Sequence, residues 1–492
     1  MEMPQNIQLE QFLKHEEEVK EKLKIKNRPI ITMTYVMVLV FLLLFGHLIY
    51  FMIHDSKKII ADPHNKRQDY YSEYIVRGNI VSADGKLLAT SENDEEGNEV
   101  RVYPYKDVFA HVVGYNEYGR SGIELQYNFE LLTSNVNIVS KLKNDLKTNK
   151  NPGDTICTTL DTRLQQEAYD ALGDANGAVV VIEPSTGKIL ALVSKPSYDP
   201  NNIDEVWDYI HSEEGSESTI MLNRATQGLY APGSTFKIVT ALEFIRENPN
   251  YKDYSYYCEG SDIFKSVEIS CANGHVHGDV DLEDSIAYSC NTSFANIGMS
   301  LDKSSYRKTA EDLLYNSKLP VDIEYSESSF SVDANTDTQL IPQTAIGQGD
   351  TSITPLHNAM IMCAIANGGV LKKPYLVESI KNSDGALVKK IKHGDTKELL
   401  SYKEAETLIE MLSSVCEYGT ASSYFSYTDY SVAGKTGTAE YDNNGNCNSW
   451  FVGFSNIKDP DIVVSVIVED YTKNELSGSY VAKRVFDAYY DK

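Results

Sequence analysis

Tyr230-Ala231-Pro232-Gly233-Ser234-Thr235-Phe236-Lys237 opens the most informative stretch of this chain, and Ile238-Val239-Thr240-Ala241-Leu242 continues it. Pro232-Gly233 reads as a turn, and the apolar residues after it predict a helix over Thr235 to Arg246. With a helix beginning at Ser234, residues three apart share one face. The Lys237 amine then comes to the Ser234 hydroxyl. A neutral serine is a weak nucleophile and needs a base beside it. Lysine serves when burial or a neighbouring cation lowers its pKa. The helix N-terminus adds positive potential where an alkoxide would form. Spacing alone does not select this serine, because Ser140–Lys143, Ser185–Lys188 and Ser300–Lys303 share it and read as surface positions. The Pro-Gly lead and the apolar helix single out Ser234.

Two further motifs follow in chain order. Ser289-Cys290-Asn291 lies near the end of a helical segment that begins around Leu282. Lys435-Thr436-Gly437-Thr438 lies in the strand-like run around it. Gly434 and Gly437 let a substrate backbone lie close against that strand. Lys435 supplies positive charge, and Thr436 and Thr438 supply hydroxyls and N–H groups that can hold a carboxylate. Each motif is common by chance; the ordered set is not. Ser-x-x-Lys, Ser-x-Asn and Lys-Thr-Gly in this order resemble the signature of penicillin-binding proteins and serine β-lactamases. Cys290 stands where an aspartate is also found, a variant that resembles penicillin-binding transpeptidases, and its side chain is expected to point into the core.

The resemblance runs from about residue 75 to the end. Arg77-Gly78-Asn79-Ile80 with Asp84-Gly85, and Gly122-Ile123-Glu124 with Tyr127, are similar to the N-terminal pedestal of class B penicillin-binding proteins. Leu160-Asp161, Ala178-Val179-Val180, Pro196 to Asn201, Asn223-Arg224-Ala225, Gly347-Gln348-Gly349 and Trp450-Phe451-Val452-Gly453 match their transpeptidase domain. About 100 residues between anchor and transpeptidase domain leave no room for a fused glycan polymerase. The chain is therefore identified as a member of the compact branch of class B, the monofunctional peptidoglycan D,D-transpeptidases.

That resemblance implies an α+β fold. It comprises a penicillin-binding/β-lactamase-like domain with an antiparallel sheet flanked by helices, a mostly-β pedestal and one transmembrane helix. It implies cross-linking of stem peptides ending in D-Ala-D-Ala through a Ser234 acyl-enzyme, acylation by β-lactams, and possible residual D,D-carboxypeptidase activity. Lys237 would be the base for acylation, Ser289 and Lys435 would relay the proton to the leaving amine, and Asn291 would hold the substrate backbone. Thr436, Gly437 and Thr438 would bind the substrate carboxylate, with the N–H groups of Ser234 and Thr438 as the oxyanion hole. A membrane-embedded glycan polymerase is the implied partner, and no cofactor is implied. Carboxypeptidases and β-lactamases share the acylation with water as acceptor; the pedestal and anchor argue against a β-lactamase. A sensor would need a transducing domain, which a tail of about 30 residues cannot hold.

The residues themselves support the outline. Ile31 to Ile53 contains no Lys, Arg, Asp or Glu and is long enough to cross a bilayer as one helix. Lys20, Lys22, Lys24, Lys26 and Arg28 precede it, whereas Lys57 and Lys58 follow. The positive-inside rule then places the N-terminus in the cytoplasm and the rest outside, a single-pass membrane protein with an extracytoplasmic catalytic domain. The tail from Ile7 to Lys26 fits a short amphipathic helix or a solvated segment. The expected divisions are a tail over 1–30, an anchor over 31–53, a pedestal over 54–152 and the transpeptidase domain over 153–492, with Asn151-Pro152-Gly153-Asp154 as the boundary turn. Ala178 to Glu183 and Lys188 to Ser194 read as a hairpin. Helices are expected at Asp161 to Leu172, Leu282 to Met299, Pro355 to Asn367, Tyr402 to Cys416 and Tyr480 to Tyr490, and strands at Ser449 to Phe454 and Asp461 to Glu469. A net charge of −26 over 492 residues excludes the broad basic surface of a nucleic-acid binder. The seven cysteines are too sparse for a disulfide framework. Cys258 and Cys271 are read first as a disulfide, next as free thiols, and last as zinc ligands with His277, since no standard zinc spacing is present; no metal is expected.

Overall fold

The computed structural model describes residues 5–56, 59, 70–147, 149–442 and 445–491. Lys57 and Lys58 lie outside them. The chain divides into an N-terminal unit ending at residue 66 and a body beginning at residue 67. The first unit contains one helix, Gln5–Tyr50, continued by a π-helical turn at Phe51–Asp55. The tail is therefore no separate short helix but runs unbroken into the apolar span. Residues in that span present exposed apolar side chains on every side, which water would penalise and a bilayer would not.

The body is organised by two sheets. The first has five antiparallel strands in the order Val432–Glu440, Cys447–Ser455, Val463–Val468, Gly177–Glu183 and Lys188–Lys195. Cys447–Ser455 and Val463–Val468 are buried at every position. A continuous apolar run rather than an alternating one is what a strand covered on both faces requires. The cover includes Pro355–Ala366, buried at all twelve residues, and the C-terminal helix Gly478–Tyr490, which packs on the same strands. Thr162–Ala171 packs against Lys188–Lys195, and its N-cap Asp161 accepts hydrogen bonds from the backbone of Arg163 and Leu164. The predicted hairpin and the helices at Pro355, Tyr402 and Tyr480 all form within a few residues of their expected limits.

The second sheet draws on three distant parts of the chain. Its order is Leu387–Lys390, Val377–Lys381, Thr155–Thr158, Ile80–Val81, Leu87–Asn93 and Glu99–Val102. Thr155–Thr158 pairs parallel with Ile80–Val81 and antiparallel with Val377–Lys381, so this sheet is built from both sides of the turn at 151–154. Short helices at Ala110–Val113, Gly122–Gln126, Asn128–Leu131 and Ile138–Leu146 accompany its N-terminal strands. The two N-terminal sequence signatures meet here. Arg77 donates to Glu124 Oε2 at 2.6 Å and Arg101 donates to Glu124 Oε1 at 2.8 Å. All three are almost fully buried. Burial alone would raise the Glu124 pKa, but Arg101 and Arg77 outweigh it and hold the carboxyl below its ordinary value.

Candidate active site

Ser234 lies in a 3₁₀ turn, Gly233–Phe236, that leads into the α-helix Lys237–Glu247. The tighter turn has about three residues per turn, so Ser234 and Lys237 lie one above the other more directly than in an α-helix. The turn is wedged into place by backbone. Gly233 has φ +52 and donates to Gly347 O at 2.9 Å. A Cβ on Gly347 would stand 2.0 Å from Gly233 O, and one on Gly233 would stand 2.5 Å from Thr438 O. Only glycine permits these approaches. Trp450 Nε1 donates to Ala231 O at 3.1 Å, tying the lead of the turn to the central sheet.

Lys237 is fully buried. Its Nζ donates to Ser289 O at 2.7 Å, to Ser289 Oγ at 3.2 Å and to Asn291 Oδ1 at 2.6 Å. No hydrogen bond joins it to Ser234 among the described residues. Burial lowers its pKa from 10.5 to about 7, which makes the neutral amine available near neutrality.

The expected long helix over Leu282 to Met299 is two helices, Leu282–Ala287 and Asn291–Ser300. Ser289 breaks it with φ +57, and Cys290 caps the second helix by accepting from Ser293 N at 3.5 Å. The Ser289-Cys290-Asn291 motif is thus a junction rather than a stretch near one helix's end. The break turns Ser289 and Asn291 to Lys237 while Cys290 is buried in the core. Asn291 also donates to Ser270 O at 2.8 Å.

Lys435 lies on the edge strand Val432–Glu440 and is fully buried as well. Its Nζ donates to Thr436 O at 3.1 Å. Burial first, and repulsion from Lys237 second, push its pKa well below 10.5. Thr436 Oγ1 lies 2.6 Å from Thr420 Oγ1. A Cβ on Gly437 would come within 2.9 Å of Trp450 Cβ and 3.1 Å of Thr235 Cγ2, so this glycine lets the strand pass close to the Ser234 turn. Beyond it, the Gln348 amide, oriented by its hydrogen-bond network, pairs with Glu440 N at 3.2 Å and Glu440 O at 3.3 Å.

These groups border one cleft of about 1090 Å³, lined by Ser234, Ser289, Asn291, Thr436, Gly437 and Thr438 among others. Lys237 and Lys435 lie beneath its surface. Sequence reasoning missed Thr420 and the pairing of Gln348 with the strand. A lone threonine after Gly419 carries no motif, although Gly347-Gln348-Gly349 was visible as a matching stretch. Cys271 lines the cleft beside Asn291, and it, Cys258 and Cys290 are buried free thiols, so the disulfide expected between Cys258 and Cys271 does not form. His277 joins them, and Cys290 completes a group of four that the sequence had given as three.

Residues 177–491 match the penicillin binding protein transpeptidase domain, and residues 77–156 match the penicillin binding protein A dimerisation domain. Peptidoglycan D,D-transpeptidase PbpA of Mycolicibacterium smegmatis is 31% identical over 438 residues, covering 83% of this chain and 87% of the relative. The solved D,D-transpeptidase domain of a peptidoglycan glycosyltransferase from Eggerthella lenta is 31% identical with a TM-score of 0.74, covering 84% of this chain and 98% of that one. Penicillin-binding protein A from M. tuberculosis, solved as an imipenem acyl-enzyme complex, is 28% identical with a TM-score of 0.75, covering 85% of this chain and 99% of that one.

Proposed function

The chain belongs to the penicillin-binding protein transpeptidase family, and from that premise we propose that Ser234 is the acylated nucleophile and Lys237 its base. The protein is a class B, serine-type peptidoglycan D,D-transpeptidase that acts on stem peptides and is covalently acylated by β-lactams. The observation that carries the residue assignment is the buried Lys237 amine, with its pKa near 7, held against Ser289 and Asn291 beneath the serine.

In this reading, neutral Lys237 takes the Ser234 proton as Oγ attacks the carbonyl carbon of the penultimate D-Ala. The N–H groups of Ser234 and Thr438 receive the oxyanion. Collapse breaks the amide bond, and the leaving D-Ala amine takes a proton passed through Ser289 from the buried Lys237 and Lys435 pair. An acceptor amine then attacks the ester carbonyl, loses its proton along the same path and regenerates Ser234. Thr436, Gly437 and Thr438 hold the terminal carboxylate, and Asn291 orients the peptide backbone.

The test uses the full chain in detergent with a fluorescent penicillin, alongside Ser234→Ala. A lasting covalent label on the wild type and none on the variant is expected. Equal labelling of both would reject Ser234. Rapid labelling followed by rapid loss would assign a hydrolase instead.

Residues 31–53 are read as the membrane anchor with the tail over 1–30 inside, supported by the cations that precede the span. Protease added to intact protoplasts should then remove the body; a protected body would reject this orientation. Residues 54–152 are read as a pedestal for the catalytic residues 153–492, and a membrane-embedded glycan polymerase as the partner of anchor and pedestal. Crosslinking in cells should capture such a polymerase, and exchange of residues 31–53 for an unrelated apolar span should weaken that capture. Capture unaffected by the exchange would remove the anchor from the interface.

A further inference from the structure

The helix Ile138–Leu146 is turned inside out. Successive residues of an α-helix are rotated by about 100°, so Ile138, Val139, Leu142 and Leu146 share one arc of about 100°. These four side chains are 78%, 76%, 57% and 86% exposed. The half-buried positions belong to polar residues instead, Ser140 and Asn144. Asn144 Nδ2 donates to Asn151 Oδ1 at 3.1 Å and ties the helix to the strand Asn151–Pro152. A surface helix of a globular body ordinarily does the reverse and buries its apolar stripe. Large apolar side chains exposed together mark a surface that meets another apolar phase.

The charge on this helix narrows what that phase is. Lys141 and Lys143 fall on either side of the apolar arc, and Lys147 follows it. Residues 138–150 carry Lys141, Lys143, Lys147 and Lys150, with Asp145 as the only acidic residue, in a chain whose net charge is −26. Lysines beside an apolar stripe lay their stems along it and keep their ammonium groups in a polar layer. Protein interfaces are poor in lysine, whereas a leaflet of anionic lipid offers acyl chains to the stripe and phosphates to the lysines.

The neighbouring chain points the same way. Tyr70, Tyr71 and Tyr74 are exposed at the start of the body, with Tyr70 Oη 3.1 Å from Tyr74 Oη. Tyrosine is enriched in the headgroup layer of membranes. Asn151 N donates to Tyr74 O at 3.0 Å, and Ile75–Val76 pairs with Asn151–Pro152, so the tyrosines and the helix are fastened to the same small ladder. Residues 54–69 are all that separates Ile53 from Tyr70, and that length of chain reaches no farther than about 60 Å when fully extended.

We propose that Ile138–Leu146 is an interfacial helix that lies on the anionic lipid surface of the membrane entered by residues 31–53, with its apolar side toward the acyl chains and its lysines among the phosphates. This rests on the reading of residues 31–53 as the anchor and is independent of the Ser234 assignment. A helix of nine residues binds lipid weakly by itself, but the tether raises its effective concentration at the surface. The body is then held to the membrane at two points rather than one.

The test places the full-length protein in vesicles of phosphatidylglycerol and phosphatidylcholine that include a phosphatidylcholine with a photoreactive group high in its acyl chain. After irradiation and digestion, lipid adducts are mapped by mass spectrometry. Adducts on residues 31–53 report the anchor, and adducts on residues 138–146 as well are expected. Adducts on 31–53 alone would overturn the proposal and leave the anchor standing, whereas adducts on neither would overturn both. Val139→Glu with Leu142→Glu changes only exposed side chains and should lower the helix adducts about tenfold. Its adducts on 31–53 and its labelling by fluorescent penicillin in detergent should match the wild type. Undiminished helix adducts in this variant would show chance collision and overturn the proposal. Lys141→Gln with Lys143→Gln should lower the helix adducts at least about fivefold in these vesicles and leave them unchanged in phosphatidylcholine alone. In intact cells, a photoreactive amino acid at position 142 should capture lipid; capture of a protein in its place would overturn the proposal in favour of a protein partner.

Discussion

Replacing Lys237 with methionine keeps the length of the side chain and removes only the amine. In the folded protein that amine has a pKa of about 7 rather than 10.5 because burial disfavours its charge. At pH 7 the neutral fraction therefore rises from roughly one in 3000 to about one half. If neutral Lys237 takes the Ser234 proton, the second-order acylation constant should follow that fraction. It should be level above about pH 8 and fall about tenfold for each pH unit below about 6. Lys435 is buried nearby and is itself lowered by Lys237, so the midpoint belongs to the coupled pair. Lys237→Met should lose this pH dependence and about 10²–10⁴-fold in rate, the usual contribution of a general base. Stopped-flow acylation of full-length protein by a fluorescent penicillin, from about pH 5 to about pH 9, spans the titration. A wild-type profile flat across that range, or a variant within about threefold of wild type at pH 7, would refute the assignment of Lys237 as base.

Gly347→Ala places a Cβ 2.0 Å from Gly233 O at a residue with φ +77. The Ser234 turn must shift, and acylation should slow by on the order of 10²-fold; labelling at the wild-type rate would show that the turn is not held by this contact. Thr420→Val removes the partner of the Thr436 hydroxyl at 2.6 Å. One hydrogen bond of about 1 kcal/mol predicts roughly fivefold weaker acylation by a carboxylate-bearing β-lactam, measured against an unchanged unfolding midpoint. Glu124→Ala leaves Arg77 and Arg101 buried without their counter-ion and should cost about 3–5 kcal/mol in chemical unfolding. Because the folded Glu124 pKa is depressed, its contribution is complete above the unfolded carboxylate value of about 4.3 and is lost as pH falls through the lower folded value. Stability rising on acidification through that window would reverse the sign.

The elements that the sequence announced are those with long local signals. The uniform apolar runs of Ala178 to Glu183 and Asp461 to Glu469 and the periodicity of Tyr402 to Cys416 each reflect a full burial pattern. The break at Ser289 had no such signal. A serine with positive φ is uncommon, and the group that holds its carbonyl and hydroxyl is Lys237, 52 residues away in the sequence. The depth of Lys435 was equally hidden, because a lysine in a strand ordinarily faces water. Thr420 and Cys290 acquire their partners only through packing. The motif order thus carried the chemistry, while the electrostatics that would tune it arise from tertiary burial.

Both sheets join residues that leave the ribosome far apart in time. Thr155–Thr158 is central in its sheet yet waits for Val377–Lys381, and Gly177–Glu183 waits for Val463–Val468. Until then each presents an open strand edge, a known invitation to mispairing, and such long-range closure is slow. The nascent chain therefore travels with two unfinished seams. Lys435 and Thr436 reach the Ser234 turn only after most of the chain has been made, so a product that stops before Val432 lacks this strand. A copy stalled before that point would be sticky and would lack one wall of the cleft.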